Sequence, residues 1–348
     1  LSGPEPFDEA QDRLREDRHG FAVRRILLSR LDRVGDLILS TPAIATVRKA
    51  FPAAHVTIAC SEYNAVVVQK SPDVDAVECL PPDLPPRMFG QRFRGVDLAI
   101  ALAPNAADMR LVAATRAPRR IGYTYERRYL TRAVAYLWLT DCLISNADPA
   151  SCERVPHRVV MHEVNQVLAL AQRAGATTIV PDLRVVIDAN DRAAVTSLPA
   201  DAITVHLGRR WTERGSTTES LLQLLRELRP LGRPIVATYG ADATELAEAV
   251  RAAGVADQVL GGLTFGQWAA AFERAACIVT IDTGATHVAS AVKRPTVVLF
   301  EHTYFWLNSQ EWSPYRVPNA VLRKPPTDAP DALAASRAEI VAAVARLL

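Results

Sequence analysis

Cysteine is scarce in this 348-residue chain. There are five, Cys60, Cys79, Cys142, Cys152 and Cys277, an odd number with no C-x-x-C pair. That argues against a disulfide framework or a cysteine zinc site and fits a reducing cytoplasm. Long apolar runs are also missing. Val96–Ala103 and Ala133–Leu139 fall far short of the ~20 residues a bilayer-spanning helix needs. Nor is there an excess of one charge: 40 Lys and Arg against 38 Asp and Glu give a formal +2. No nucleic-acid partner is expected from so even a balance, and any anion site must be local. The absence of G-x-G-x-x-G disfavours a dinucleotide oxidoreductase. His162-Glu163 does not open an H-E-x-x-H, so His157 and His162 read as helix residues and no metal site is expected. Leu1–Gly20 alternates acids and bases without the apolar core of a signal peptide, and reads as a charged extension.

What is present is a regular alternation of short β-branched runs and amphipathic segments. In the first half the strand candidates are Arg24–Ser29, His55–Cys60, Asp75–Leu80 and Val96–Leu102. Helical patterns cover Asp36–Phe51, Tyr63–Lys70, a segment after Pro104, and Pro156–Ala174 before Gly175. After a polar stretch through Pro181 and Pro199 the alternation restarts at Ala202–Leu207 and continues to Thr296–Phe300. Apolar strands spaced by helices indicate parallel sheets covered on both faces, so the fold class is α/β with two doubly wound domains. The expected division is an extension over 1–20, a first domain over 21–180 and a second over 181–328. A last alanine-rich helix within 329–348 is expected to return to the first domain. Ligands of such sheets bind between the carboxyl ends of the strands.

Three strand-to-helix loops carry candidate chemistry. In Ser29–Asp36 (SRLDRVGD), Gly35 lets backbone N–H groups approach an anion, and Asp36 in the first helical turn is an acid at the cleft. Alone, Asp36 is equally a first-turn acid of the ordinary kind. In Ile281–His287 (IDTGATH), Thr283 and Thr286 offer hydroxyls around Gly284 at a helix N-terminus suited to phosphate. Alone, that loop is equally a capped turn with His287 in the core. His206–Glu219 holds Arg209, Arg210 and Arg214, able to neutralise a leaving diphosphate or simply to be solvated.

Taken together, these loops resemble glycosyltransferase family 9, the ADP-heptose:lipopolysaccharide heptosyltransferases. The resemblance rests on Ile26–Pro52 with its G-D pair and T-P helix, on D-T-G-x-x-H at Asp282–His287, and on Lys293–Phe300. Trp312-Ser313-Pro314-Tyr315 and Arg120-Ile121-Gly122-Tyr123 add to it. It implies a GT-B architecture, two Rossmann-like domains facing a central cleft. It also implies an inverting transfer without metal or cofactor, an ADP-sugar donor and a glycolipid acceptor of the lipid A–Kdo type. Asp36 would be the general base. Gly35, Arg214, Asp282, Thr283, Gly284, Thr286 and His287 would hold the donor, Arg214 aligning with the family's lysine. Arg30 and Arg120 are assigned to the acceptor. Arg116–Arg132, interleaved with tyrosines, and the apolar Ala133–Leu139 are candidates for an anionic acceptor or the inner-membrane surface. The chain departs from the family pattern at Arg214, at Gly215-Ser216-Thr217, and at Glu301-His302 where a G-P pair is usual. A different donor or acceptor, or an ADP-sugar-binding relative impaired in catalysis, therefore stands as the alternative.

Overall fold

The computed structural model describes residues 23–148 and 158–348, so the 1–20 extension, Cys152 and His157 lie outside the described residues. The first domain opens with β1 (Arg25–Arg30), α1 (Val34–Ala50), β2 (His55–Ser61), β3 (Ala76–Leu80) and α2 (Pro86–Gly90). It continues through β4 (Leu98–Ala101), α3 (Ala106–Thr115), β5 (Arg119–Tyr125), α4 (Tyr129–Trp138), β6 (Asp141–Ser145) and α5 (Glu163–Arg173). The linker carries α6 (Ala189–Ala193). Then come β7 (Ala202–Leu207), α7 (Thr218–Leu228), β8 (Ile235–Tyr239), α8 (Thr244–Ala252), β9 (Gln258–Leu260) and α9 (Phe265–Glu273). The chain closes with β10 (Ala275–Ile281), α10 (Gly284–Ala291), β11 (Thr296–Phe300), α11 (Phe305–Glu311), β12 (Asn319–Arg323) and α12 (Pro330–Leu347).

Among the described residues these strands form two six-stranded sheets, ordered β3-β2-β1-β4-β5-β6 and β9-β8-β7-β10-β11-β12. Every strand pair is parallel. The two orders are the same doubly wound topology, which reverses direction between β1 and β4 and again between β7 and β10. The sequence places its candidate loops at these two points: one follows β1 and the other follows β10.

The domains share a core. One apolar cluster takes Ile26, Leu28, Ile58 and Ile100 from the first sheet, then Val47 and Val167 from α1 and α5. It continues into Phe272, Ile278 and Val288 of the second domain. Helix α1 is the central element, buried over most of its length despite Pro42 inside it. The carbonyl of Ile38, which Pro42 cannot satisfy, accepts instead from Thr41 Oγ1 at 2.7 Å.

Four sequence expectations change. Tyr63–Lys70 is not a helix beyond a short turn at Ala65–Val67; three consecutive valines, stiff at χ1, work against one. Helix α5 starts at Glu163 rather than near Pro156, because the His162 side chain caps it, accepting from Val164 N at 3.2 Å. Strands β5, β6 and β12 arise from segments rich in arginine or too short to read as strands. Finally, α12 does not return to the first domain. Its Ile340, Ala343 and Val344 fill the second domain's core beside Leu224, Leu225 and Val297, and Arg337 pairs with Glu227.

Candidate active-site cleft

The carboxyl ends of the two sheets face each other across a cleft of about 560 Å³. Arg33, Val34 and Gly35, at the start of α1, line one side, with Tyr63 nearby; Gly208 and Thr283–Ala285 line the other. The start of α1 and the start of α10 approach so closely that only glycine fits. A Cβ on Gly35 would lie 2.8 Å from His287 Cδ2 and 3.1 Å from Gly284 Cα. Neither helix has a side-chain cap, so first-turn N–H groups of both point toward the space between the domains.

Behind the first loop lies a buried ion network. Arg30, the last residue of β1, is 2% exposed. Its Nε meets Asp32 Oδ1 at 2.8 Å, one terminal nitrogen meets Glu163 Oε1 at 2.8 Å, and the other stands 3.6 Å from Asp36 Oδ1. Glu163 accepts a further bond from Tyr123 Oη at 2.9 Å. Burial alone would lower the Arg30 pKa, but the Asp32, Glu163 and Asp36 carboxylates hold it well above the usual value. Asp36 feels the reverse. Burial raises its pKa, and the Arg30 guanidinium opposes that rise. The result is a half-hidden carboxylate, next in sequence to the cleft-lining Gly35, whose proton affinity exceeds that of a solvated aspartate. Arg30, expected from sequence to meet an acceptor, is held by carboxylates and the Leu102 carbonyl and stands behind Asp36.

On the second side, Arg210 reaches the loop after β10. It donates to the Asp282 carbonyl oxygen at 2.7 Å and to its carboxylate at 2.6 Å. Lys324, immediately after β12 and 1% exposed, sits 2.8 Å from Glu301 Oε1 and donates to the Arg210 carbonyl. Glu301 is thus neutralised by a buried lysine instead of facing the cleft as a bare charge. Arg214 is placed differently from its expected role. It is exposed, does not line the cleft, and its Nε donates to the Pro326 carbonyl at 2.8 Å. Neither the Arg210 nor the Lys324 contact was visible in the sequence, because the first depends on β7 lying beside β10 and the second on β12 lying beside β11.

The farther wall of the cleft is aromatic and neutral. The His206 ring stacks on Trp268 with centroids 4.9 Å apart, its Nδ1 meets Thr238 Oγ1 at 3.0 Å, and Tyr239 borders the same space. Burial pushes the His206 pKa down to about 4, so the ring is uncharged at neutral pH. A flat heteroaromatic ring suits such a wall.

The remaining expected residues divide clearly. Thr283 and Gly284 line the cleft, whereas Thr286 and His287 are buried beneath them. Burial lowers the His287 pKa to about 3, and its ring serves as the platform for Gly35. Arg120 belongs to the opposite end of β5 from the cleft. Its guanidinium donates to the Trp138 and Ala117 carbonyls, away from the cleft. Trp312–Tyr315 serves the domain junction. His162 Nδ1 accepts from Val164, which leaves Nε2 to donate to the Ser313 carbonyl at 3.0 Å. Gln166 of α5 donates to Glu311 of α11 at 3.0 Å across the same seam. Among the described residues no group of three or more His, Cys, Asp or Glu side chains could hold a metal.

Residues 218–339 match the model of glycosyltransferase family 9 (heptosyltransferase). No curated protein matches the sequence. Among solved structures, the glycosyl transferase family 9 from Veillonella parvula DSM 2008 is 20% identical, with a TM-score of 0.73 over 94% of this chain and 98% of that one. The ADP-heptose lps heptosyltransferase II of E. coli is 18% identical, with a TM-score of 0.69 over 93% of this chain and 98% of that one. E. coli heptosyltransferase WaaC with ADP-2-deoxy-2-fluoro heptose is 18% identical, with a TM-score of 0.64 over 86% and 93%. The chain therefore has the GT-B fold, and its residues 218–339 resemble the family 9 domain.

Proposed function

We propose that this family 9 glycosyltransferase moves a heptose, or a closely related sugar, from an ADP-sugar to a hydroxyl of a lipid-linked acceptor of the lipopolysaccharide-core type. Asp36 is the general base. The observation that carries the reading is the pairing across the cleft: a carboxylate of raised proton affinity on one loop, and an uncapped helix N-terminus with glycine and threonine on the other. In the proposed reaction the acceptor hydroxyl gives its proton to Asp36 as its oxygen attacks the anomeric carbon, and the bond to the diphosphate breaks from the opposite side. The configuration inverts in this single displacement. The negative charge that grows on the departing ADP meets the N–H groups of Thr283–Ala285 and the guanidinium of Arg210. His206, Trp268 and Tyr239 are the proposed seat for adenine.

A second reading keeps the fold and changes the donor. Its support is the Lys324–Glu301 pair and the outward Arg214, both departures from the family pattern near the nucleotide end. Calorimetric titration with ADP, UDP and GDP, with and without a chelator, separates the two. Preferential ADP binding unaffected by the chelator is expected. Preference for uridine, or loss of binding on chelation, would overturn the adenine assignment or the metal-free transfer respectively.

A further inference from the structure

Helix α4 presents its apolar side to solvent. Leu130 and Leu137 are 86% and 80% exposed, and Tyr129 and Tyr136 are 65% and 58% exposed. The pairs recur seven residues apart with Ala133 between them, so they form one stripe on one face. The opposite side is fixed: Ala135 and Leu139 belong to the core cluster around Leu111 and Val112. Soluble surfaces do tolerate single exposed leucines, but a helix with its large apolar residues gathered outward marks a docking surface.

Charge identifies the occupant. From Arg127 to Thr140 there are three arginines and no acid. Arg127 and Arg128 are exposed where the helix begins. Arg128 lies over the Tyr125 ring at 4.9 Å and Arg132 over Tyr129 at 5.3 Å, so the cations border the aromatic end of the stripe. Leucines flanked by tyrosines and arginines suit a bilayer interface, where apolar side chains enter the acyl boundary and guanidinium groups meet lipid phosphates. A second copy of the chain is a poorer fit. Ten residues of helix span about 15 Å and are about 10 Å wide, a face of about 150 Å², far less than the ~800 Å² each partner of a stable dimer usually contributes.

We infer that α4 is the membrane-docking element of this protein, lying in the plane of an anionic bilayer through the stripe from Tyr129 to Leu137. This assignment names a partner surface and does not depend on which sugar is moved. Co-sedimentation of the full chain with phosphatidylethanolamine–phosphatidylglycerol vesicles, and separately with phosphatidylcholine vesicles, tests it. The parent should bind the anionic vesicles preferentially. The double variant Leu130→Gln/Leu137→Gln should lower that partition at least ~tenfold. Arg127→Gln/Arg128→Gln should lower it roughly fivefold and erase the preference for anionic lipid. ADP affinity, measured in parallel on each variant, should stay unchanged and reports that the fold is intact. Vesicle binding by the leucine variant equal to the parent's would overturn the proposal. So would light scattering that shows a parent dimer which the leucine variant dissolves, since the stripe would then face a second copy. Loss of ADP binding by the parent would instead count against the nucleotide reading alone.

Discussion

The two loops that meet at Gly35 and Gly284 occupy equivalent places in equivalent domains, yet they are built from opposite materials. The loop after β1 is ionic. It stacks Asp32, Asp36 and Glu163 around one buried guanidinium, and its electrostatics are set by side chains. The loop after β10 is small and nearly neutral at the cleft, with Thr283, Gly284 and Ala285 exposing backbone, and its one carboxylate, Asp282, tied to Arg210. One topology thus yields a site that can accept a proton and a site that can accept a phosphate. The difference lies in whether the first helical turn carries a carboxylate or leaves its N–H groups bare.

Several substitutions would break or sharpen that contrast. The largest effect on stability belongs to the ionic side. Arg30→Met leaves three carboxylates around an apolar side chain and should cost about 3–5 kcal/mol in denaturant unfolding; parent-like stability would mean those carboxylates are not jointly charged. On the neutral side, Arg210→Met should weaken ADP binding by about tenfold, while Arg214→Met should change it less than about twofold. The reverse ranking would restore Arg214 to the cation role expected from sequence. The contact between the loops is probed by Gly35→Ala, whose new methyl must displace His287 or Gly284. A loss of about 1–3 kcal/mol is expected, and none if the two loops part easily.

Smaller effects concern protons. The Glu163 carboxylate raises the Asp36 pKa, so Glu163→Gln should lower it and move the acid limb of the pH–rate profile down. An upward or absent shift would separate Glu163 from the base. His287 adds a stability term of opposite origin. Burial depresses its folded pKa to about 3 against an ordinary 6.5. Its contribution is fully present above about pH 6.5 and is lost as pH falls toward 3, because the unfolded chain takes up the proton first. His287→Gln should therefore flatten the acid side of the stability curve.

Much of the fold was legible because buried parallel strands write themselves as apolar runs: β1, β2, β7 and β11 stand within a residue of where the runs lie. What escaped were elements whose identity comes from neighbours. Strand β12 is half-buried, short and followed by prolines, yet the Lys324 just after it neutralises Glu301. Strand β5 begins with two arginines that look like a ligand patch. Both instead bind carbonyls, Arg119 those of Arg173 and Ala174 at the end of α5, Arg120 those of Trp138 and Ala117. In the cleft, position in a loop pointed to Asp36, Thr283 and Gly284. It could not distinguish Arg210 from Arg214, four residues apart, because only the direction of a short helical turn at Arg209–Thr212 separates them. The same limit applied to Arg30, whose burial depends on Glu163 arriving from 133 residues away.

The central claim is that Asp36 accepts the acceptor's proton while the other loop holds the nucleotide. The most direct test is the transfer rate of Asp36→Asn at saturating ADP-sugar, with ADP affinity measured on the same preparation. The account predicts a rate lower by about 10²–10⁴-fold with ADP affinity within about threefold of the parent. Transfer at the parent rate would contradict it.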